Sequence, residues 1–236
     1  MSSPIGSTQN YTASIAEAQR ISGFLSKTYG WMFIGLGITA VVSMAVASSP
    51  AAMTLLYGNS IARWGLFFVT LGMVWYLSAK VDQLAPNTAG ALFAVYSALM
   101  GAMLSGIFFI YTGGSIASTF LTASAMFGAL ALFGTTTKRN LAGVGHFAFM
   151  GLIGVIIASV VGFFWHSSML QFVISVCGVV VFTGLTAWDA QRLRQMALAL
   201  PDGRTGSYAI VGALALYLDF INLFLFLLRL FGGRRN

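Results

Sequence analysis

Charge is what this sequence has least of. Only 7% of its 236 residues are Asp, Glu, Lys or Arg, against roughly 25% in a soluble globular domain, and the shortage excludes a water-soluble enzyme or binding module. Cysteine occurs once, as Cys177 inside an apolar run, so no intramolecular disulfide is available and the thiol reads as a small core residue. No stretch alternates polar and apolar residues as a barrel strand must. No H-E-x-x-H zinc signature is present, and His146 and His166 fall near the ends of apolar runs, where they read as interfacial residues. Residues 1 to 28 contain no apolar core of the kind a cleaved signal peptide needs. The twelve Lys and Arg against five Asp and Glu give a net charge of +7. They are scattered at the ends of apolar segments, where they meet lipid phosphates or set topology, so the charge does not indicate nucleic acid.

What the chain has in abundance is apolar length. Hydrophobic residues make up 58% of it, grouped in runs of about 20 residues, each enough at 1.5 Å per residue to cross a hydrocarbon core of about 30 Å. The expected fold is all-α, a polytopic membrane protein with seven transmembrane helices near 29–49, 61–79, 88–111, 115–135, 144–166, 169–190 and 208–231. Breakers and turn residues separate them at Pro50, Gly58–Asn59, Pro86–Asn87, Gly113–Gly114, Thr135–Thr137 and Pro201–Asp202–Gly203. Domain organisation is thus a tail, 1–28, and a single seven-helix domain, 29–236. Within the tail the first 13 or so residues are expected to lack regular structure. Ile15, Ala18, Ile21 and Leu25 recur at helical spacing, which fits either an interfacial amphipathic helix or a plain extension of the first span. The 27 glycines recur with other small residues at four-residue spacing, at Gly101, Gly128, Gly151 and Gly154, a packing signature for membrane helices.

With the N-terminus inside, eight basic residues (Arg20, Lys27, Lys80, Lys138, Arg139, Arg192, Arg194, Arg204) fall on its side and four (Arg63, Arg229, Arg234, Arg235) on the other. This bias favours a cytoplasmic N-terminus in a bacterial inner membrane. Seven full crossings leave Arg234 and Arg235 outside, a conflict that a re-entrant last segment would remove.

Five carboxylates remain to be placed. Glu17 lies in the tail, Asp82 in a loop and Asp202 in a Pro-Asp-Gly turn, all solvated positions. Asp219 is different, because an aspartate near the bilayer centre costs about 2.5 to 3.5 kcal/mol on insertion scales. At about 100° per residue, Tyr208, Gly212, Ala215, Asp219, Asn222 and Arg229 share one stripe, with Leu214, Leu218, Leu225 and Leu228 away from it. Asp219 therefore faces protein or water, with Asn222 a candidate hydrogen-bond partner. Arg229, about 15 Å along the axis, is too far to neutralise it. Asp189 either pairs with Arg192 at i+3 or meets Asp219. In the second case two carboxylates in a low-dielectric site share a proton and titrate as a coupled pair. Depth is the obstacle: with span six ending at Arg192, Asp219 would lie about 16 Å into the membrane and Asp189 about 4 Å. They meet only if span six continues through "RLRQMALAL" beside a wet cavity, stopping at Pro201, or if the start of span seven protrudes.

The stretches "VFTGLTAWDAQRL" and "LYLDFINLFLFLLRLFG" resemble the paired signatures of the Bax inhibitor-1, or transmembrane Bax-inhibitor-motif, family in its bacterial branch. "YGWMFIGLGITA" and "YTGGSIASTFLTASAMFGALALFGTTTKRNL" support it, and the resemblance runs from about residue 20 to the C-terminus. It implies seven helices with the last enclosed by the other six, a pH-dependent calcium leak, and Asp189 and Asp219 as a di-aspartyl pH sensor hydrogen-bonded when closed. Trp188 stands where Tyr commonly precedes the first aspartate.

The expected function is a pH-sensitive calcium-leak channel or transporter. Calcium would be the transported ion, held weakly and transiently by Asp189 and Asp219, with Asn222, Arg192 and Tyr217 as candidate supporting residues and no resident cofactor. The alternative is a non-conducting membrane regulator that binds a membrane protease or a stress-response partner. A remote third reading, an intramembrane aspartyl protease, lacks its Gly-x-Gly-Asp and Pro-Ala-Leu motifs, and no enzymatic activity is expected. Lipid, calcium and protons are the expected partners; the sequence leaves the oligomeric state open.

Overall fold

Each apolar run closes as a helix because lipid offers its backbone no other hydrogen-bond partner. The computed structural model describes residues 5–165, 167–201 and 204–235, with side chains from residue 15 onward; His166 and the Asp202–Gly203 turn lie outside the described residues. The described helices are α1 (Ile5–Ala47), α2 (Pro50–Gly58), α3 (Ser60–Ala79), α4 (Pro86–Leu104), α5 (Ile107–Ile110), α6 (Gly113–Thr136), α7 (Ala142–Phe164), α8 (Ser168–Ala199) and α9 (Thr205–Phe231). Seven are long and apolar enough to cross a membrane, with α4 and α5 together forming the third crossing. The expected breakers act as caps. Ser49 and Asn59 accept N–H bonds from the first turns of α2 and α3, and Thr112 and Ser167 do the same for α6 and α8.

The bundle is organised around its last helix. In the most apolar window of α9, 67% of residues are buried, against 11–39% in the other six crossings. It packs against α1, α4, α6 and α8 and touches α3, while α7 lies outside on α8. The stripe reading of α9 needs correction here: Leu214 and Leu228 are as buried as Asp219, because α9 is packed against neighbours around most of its circumference. Aromatic rings lock it in place. Tyr217 meets Phe93 and Tyr96 edge-on, and Phe220 meets Phe120 and Phe127 likewise.

Two elements run longer than expected, and for one reason. Helix α1 begins at Ile5, inside the stretch expected to lack regular structure, and passes residue 28 without a break. Phe24, Thr28, Met32, Leu36, Thr39 and Ser43 form one continuous buried stripe, so the segment before the first span is its extension and not a separate interfacial helix. Helix α8 continues nine residues past the expected end at 190, and the two extensions cover each other. The Arg20 guanidinium donates to the Leu200 carbonyl at 2.8 Å, and Thr28 and Leu193 converge on Gly212 of α9.

A second departure lies in the third crossing, which breaks at Ser105–Gly106. The Tyr57 hydroxyl of α2 mends the gap, donating to the Met103 carbonyl and accepting from the Gly106 N–H, both at 2.8 Å.

Helix α9 runs the full depth of the bundle. At its start Ser207 donates to the Leu84 carbonyl, just ahead of α4. At its far end the C-terminal residues lie antiparallel to Tyr111 at the end of the third crossing, with Thr112 N–H donating to Gly233 O and Arg235 N–H to Ile110 O. A re-entrant last segment is therefore excluded relative to the bundle: the start and the end of α9 lie at opposite faces.

Close packing uses small residues unevenly. A Cβ on Gly101 would meet Thr39 O at 2.7 Å and one on Gly134 would run into the Ala187 carbonyl oxygen, whereas Gly128 and Gly154 have nothing within 4 Å. Gly134→Ala is expected to destabilise the protein by about 1–3 kcal/mol, since backbone must move. Gly128→Ala on the same helix is expected to be neutral or slightly stabilising. Thermal unfolding of both variants in detergent checks the contrast.

Candidate functional site: an aspartate pair at the end of a vestibule

Asp189 and Asp219 are brought together by the length of α8. Ten residues separate Asp189 from the end of α8 and fourteen separate Asp219 from the start of α9, about 15 and 21 Å respectively. The antiparallel hairpin brings the two positions to within about 6 Å of one level, half the expected mismatch in depth. Nothing in "RLRQMALAL" breaks a helix; Leu200 caps it and Pro201 follows. The two side chains lie close enough to interact directly.

Their surroundings differ. Asp219 is 5% exposed and its Oδ2 has no hydrogen-bond partner among the described residues. Asp189 is half-buried and forms part of the wall of a cavity of about 330 Å³ between the end of α3, α8 and the first half of α9. One carboxyl thus meets the vestibule and the other sits behind it. Beyond Asp219 the axis is filled by Phe220, Leu223, Phe224 and Leu227, all buried, and Phe182 stacks on Phe226 at 5.8 Å. The vestibule ends at the aspartates.

Small residues permit this approach. A side chain on Gly212 would strike Leu193, and Gly145 of α7 leaves room for the Trp188 ring. Gln191 adds a fixed point, accepting from Leu141 N–H and donating to Arg139 O, both at 2.8 Å, so the α6–α7 connection is tied to α8 beside Asp189.

Of the candidate supporting residues, Arg192 shares the vestibule wall with Asp189, whereas Asn222 and Tyr217 are engaged elsewhere. Arg192 lies over the Trp188 ring, 5.6 Å from its centroid, within electrostatic range of Asp189 but not in the i+3 ion pair. Asn222 donates its amide to the Leu218 carbonyl one turn back, 2.8 Å, which is the ordinary way a membrane helix satisfies a lone amide, and leaves Asp219 to Asp189. Tyr217, two positions from Asp219, points to another face, where its hydroxyl meets Thr39 Oγ1 at 2.7 Å; Thr39 also donates to Ser97 O.

Asp82 is more than a solvated loop residue. Its Oδ1 accepts from the Arg204 guanidinium at 2.8 Å and from the Tyr208 hydroxyl at 2.6 Å, and Tyr208 lines the vestibule. The clasp is exposed, so its energetic worth is small, but it fixes the rim.

The family model described as "Inhibitor of apoptosis-promoting Bax1" matches residues 21–236. The chain belongs to the Bax inhibitor family. Among curated relatives it is 47% identical to "Inner membrane protein YbhL" of Escherichia coli (strain K12) over 215 residues, 90% of this chain and 92% of the relative. It is 45% identical to an uncharacterized protein of Borreliella burgdorferi over 215 residues, 90% of this chain and 93% of that one. Against protein RP147 of Rickettsia prowazekii the identity is 41% over 214 residues, with 90% of each chain covered. The chain is a bacterial-branch, multi-pass integral membrane member of this family.

Because Tyr217 faces Thr39 and not the aspartates, Tyr217→Phe is expected to lower stability by about 1 kcal/mol, the same amount at each pH. Unfolding in detergent at several pH values checks this.

Proposed function

We propose that this protein is a pH-sensitive calcium leak, resting in its closed state, in a bacterial inner membrane with its N-terminus in the cytoplasm. The reading rests on one observation: two carboxyl groups on consecutive helices in contact within an apolar bundle, one of them on the wall of a cavity. A shared proton lets α8 and α9 lie together. When it leaves, two like charges stand side by side in a low-dielectric site and repel. Helix α9 packs against α1, α4 and α6 as well as α8, so its displacement loosens the plug of Phe220, Leu223 and Phe224 beneath. Calcium, a hard cation that takes oxygen ligands, would then pass two ionised carboxylates, a weak site suited to transit. The name of the Escherichia coli relative and the eight-to-four distribution of basic residues support the location and orientation.

Calcium flux from proteoliposomes across a pH series is expected to change steeply for the wild-type protein and to lose that steepness in Asp189→Asn and Asp219→Asn. PH dependence that survives in both variants would sink the gate; no flux under any condition would favour the non-conducting regulator.

Orientation has its own test. In a Cys177→Ser background, a membrane-impermeant maleimide applied to intact cells is expected to label Ser60→Cys, and to label Lys138→Cys only after permeabilisation. The reverse pattern would invert the topology.

A further inference from the structure

Helices α1 and α6 stand on either side of α9 without closing over it. Between them runs a furrow formed by two cavities of about 560 and 480 Å³ that share Leu36, Ala40, Phe120 and Phe220. Along α1 it extends from Tyr29 to Met44, about 22 Å of a hydrocarbon core about 30 Å thick. Its rims, at Phe33, Leu121 and Leu132, are exposed, while Met32, Thr39, Phe127 and Phe220 in its depth are 1–4% exposed. The furrow is therefore a slot with exposed apolar rims and a buried apolar floor. A thin, flexible apolar chain fits it.

Polar groups cluster at one end of the slot. Ser43 is 4% exposed, its Oγ has no partner among the described residues, and it faces the cavity. It sits four residues from the end of α1, about 6 Å, the depth at which a phospholipid turns from acyl chain to ester. The same end opens at Gly113, the start of α6, whose first N–H groups favour an anion. Beside it lies the C-terminal segment, pinned by Thr112 N–H to Gly233 O at 3.1 Å and by Gly233 N–H to Ser115 Oγ at 2.6 Å. That segment presents exposed Arg234 and Arg235.

We propose that the furrow binds an anionic phospholipid from the leaflet on the C-terminal side. The phosphate lies against Arg234, Arg235 and the start of α6, an ester oxygen accepts from Ser43 Oγ, and an acyl chain fills the slot between α1 and α6. This gives the two terminal arginines a reason to sit at the face with fewer basic residues. The site is separate from the aspartate pair and stands whether or not the protein conducts calcium.

Native mass spectrometry of the full-length protein, released from nanodiscs of mixed phosphatidylglycerol and phosphatidylcholine, tests it. The wild type is expected to retain one phosphatidylglycerol in preference. Arg234→Gln/Arg235→Gln, at an exposed position where folding is not at stake, is expected to reduce that preference roughly tenfold or more. Ala40→Phe, which fills the slot, is expected to abolish retention of either lipid while the protein elutes unchanged. Equal retention of both lipids by the wild type, or an unaltered preference in the arginine variant, overturns the headgroup site. Retention undiminished in Ala40→Phe, or a wild-type dimer in place of a lipid adduct, overturns the furrow as a lipid site. If Ala40→Phe does not fold, the arginine variant alone decides.

Discussion

A carboxyl group at the centre of an apolar bundle has to be met by something, and here Asp219 is met by another carboxyl group. Most of the bundle's unusual features can be traced to that requirement. Helix α8 must be long enough to carry Asp189 to the depth of Asp219, so it runs well past the thickness a span needs. Its extra turns expose apolar surface, and the extended start of α1 covers them, with Arg20 closing the last carbonyl. Gly212 and Gly145 thin the walls on either side so that α8 can come in close. Removing the requirement would leave no reason for either extension.

The remaining polar groups in the spans show a consistent economy. Thr28, Ser97, Ser175, Thr186 and Asn222 return their side-chain donors to a carbonyl one turn earlier in their own helix, which satisfies them locally and ties nothing together. A few do the opposite. Thr39 bridges α1 to both α4 and α9, Tyr57 mends a broken helix, and Gln191 ties a loop to α8. These crossings fix relative helix positions where apolar packing alone is permissive.

The seven spans were legible because apolar length is a signal carried by each segment alone, and their boundaries fell within a few residues except where α1 and α8 extend. The extensions were hidden because each is explained only by the other. Asp219 declared itself through its cost in lipid, and family resemblance supplied Asp189. Gln191, Tyr57 and Thr39 gave no warning: one polar residue per helix has no periodicity, and its partner lies 50, 46 or 178 positions away. Asn222 misled for the opposite reason, since its spacing from Asp219 was right and a nearer carbonyl took its amide.

The central helix also comes after the six crossings it holds together. Synthesis delivers chains from the N-terminus, and early elements assemble first, but here six crossings must wait for the piece that holds their aromatic contacts and the second carboxyl. Until α9 emerges, Asp189 has no counterpart, and α1, α4, α6 and α8 have only one another to pack on. The segment that clips Gly233 to Ser115 follows α9 directly, so that a chain cut short by two turns of α9 would lack the fastening as well as part of the spine.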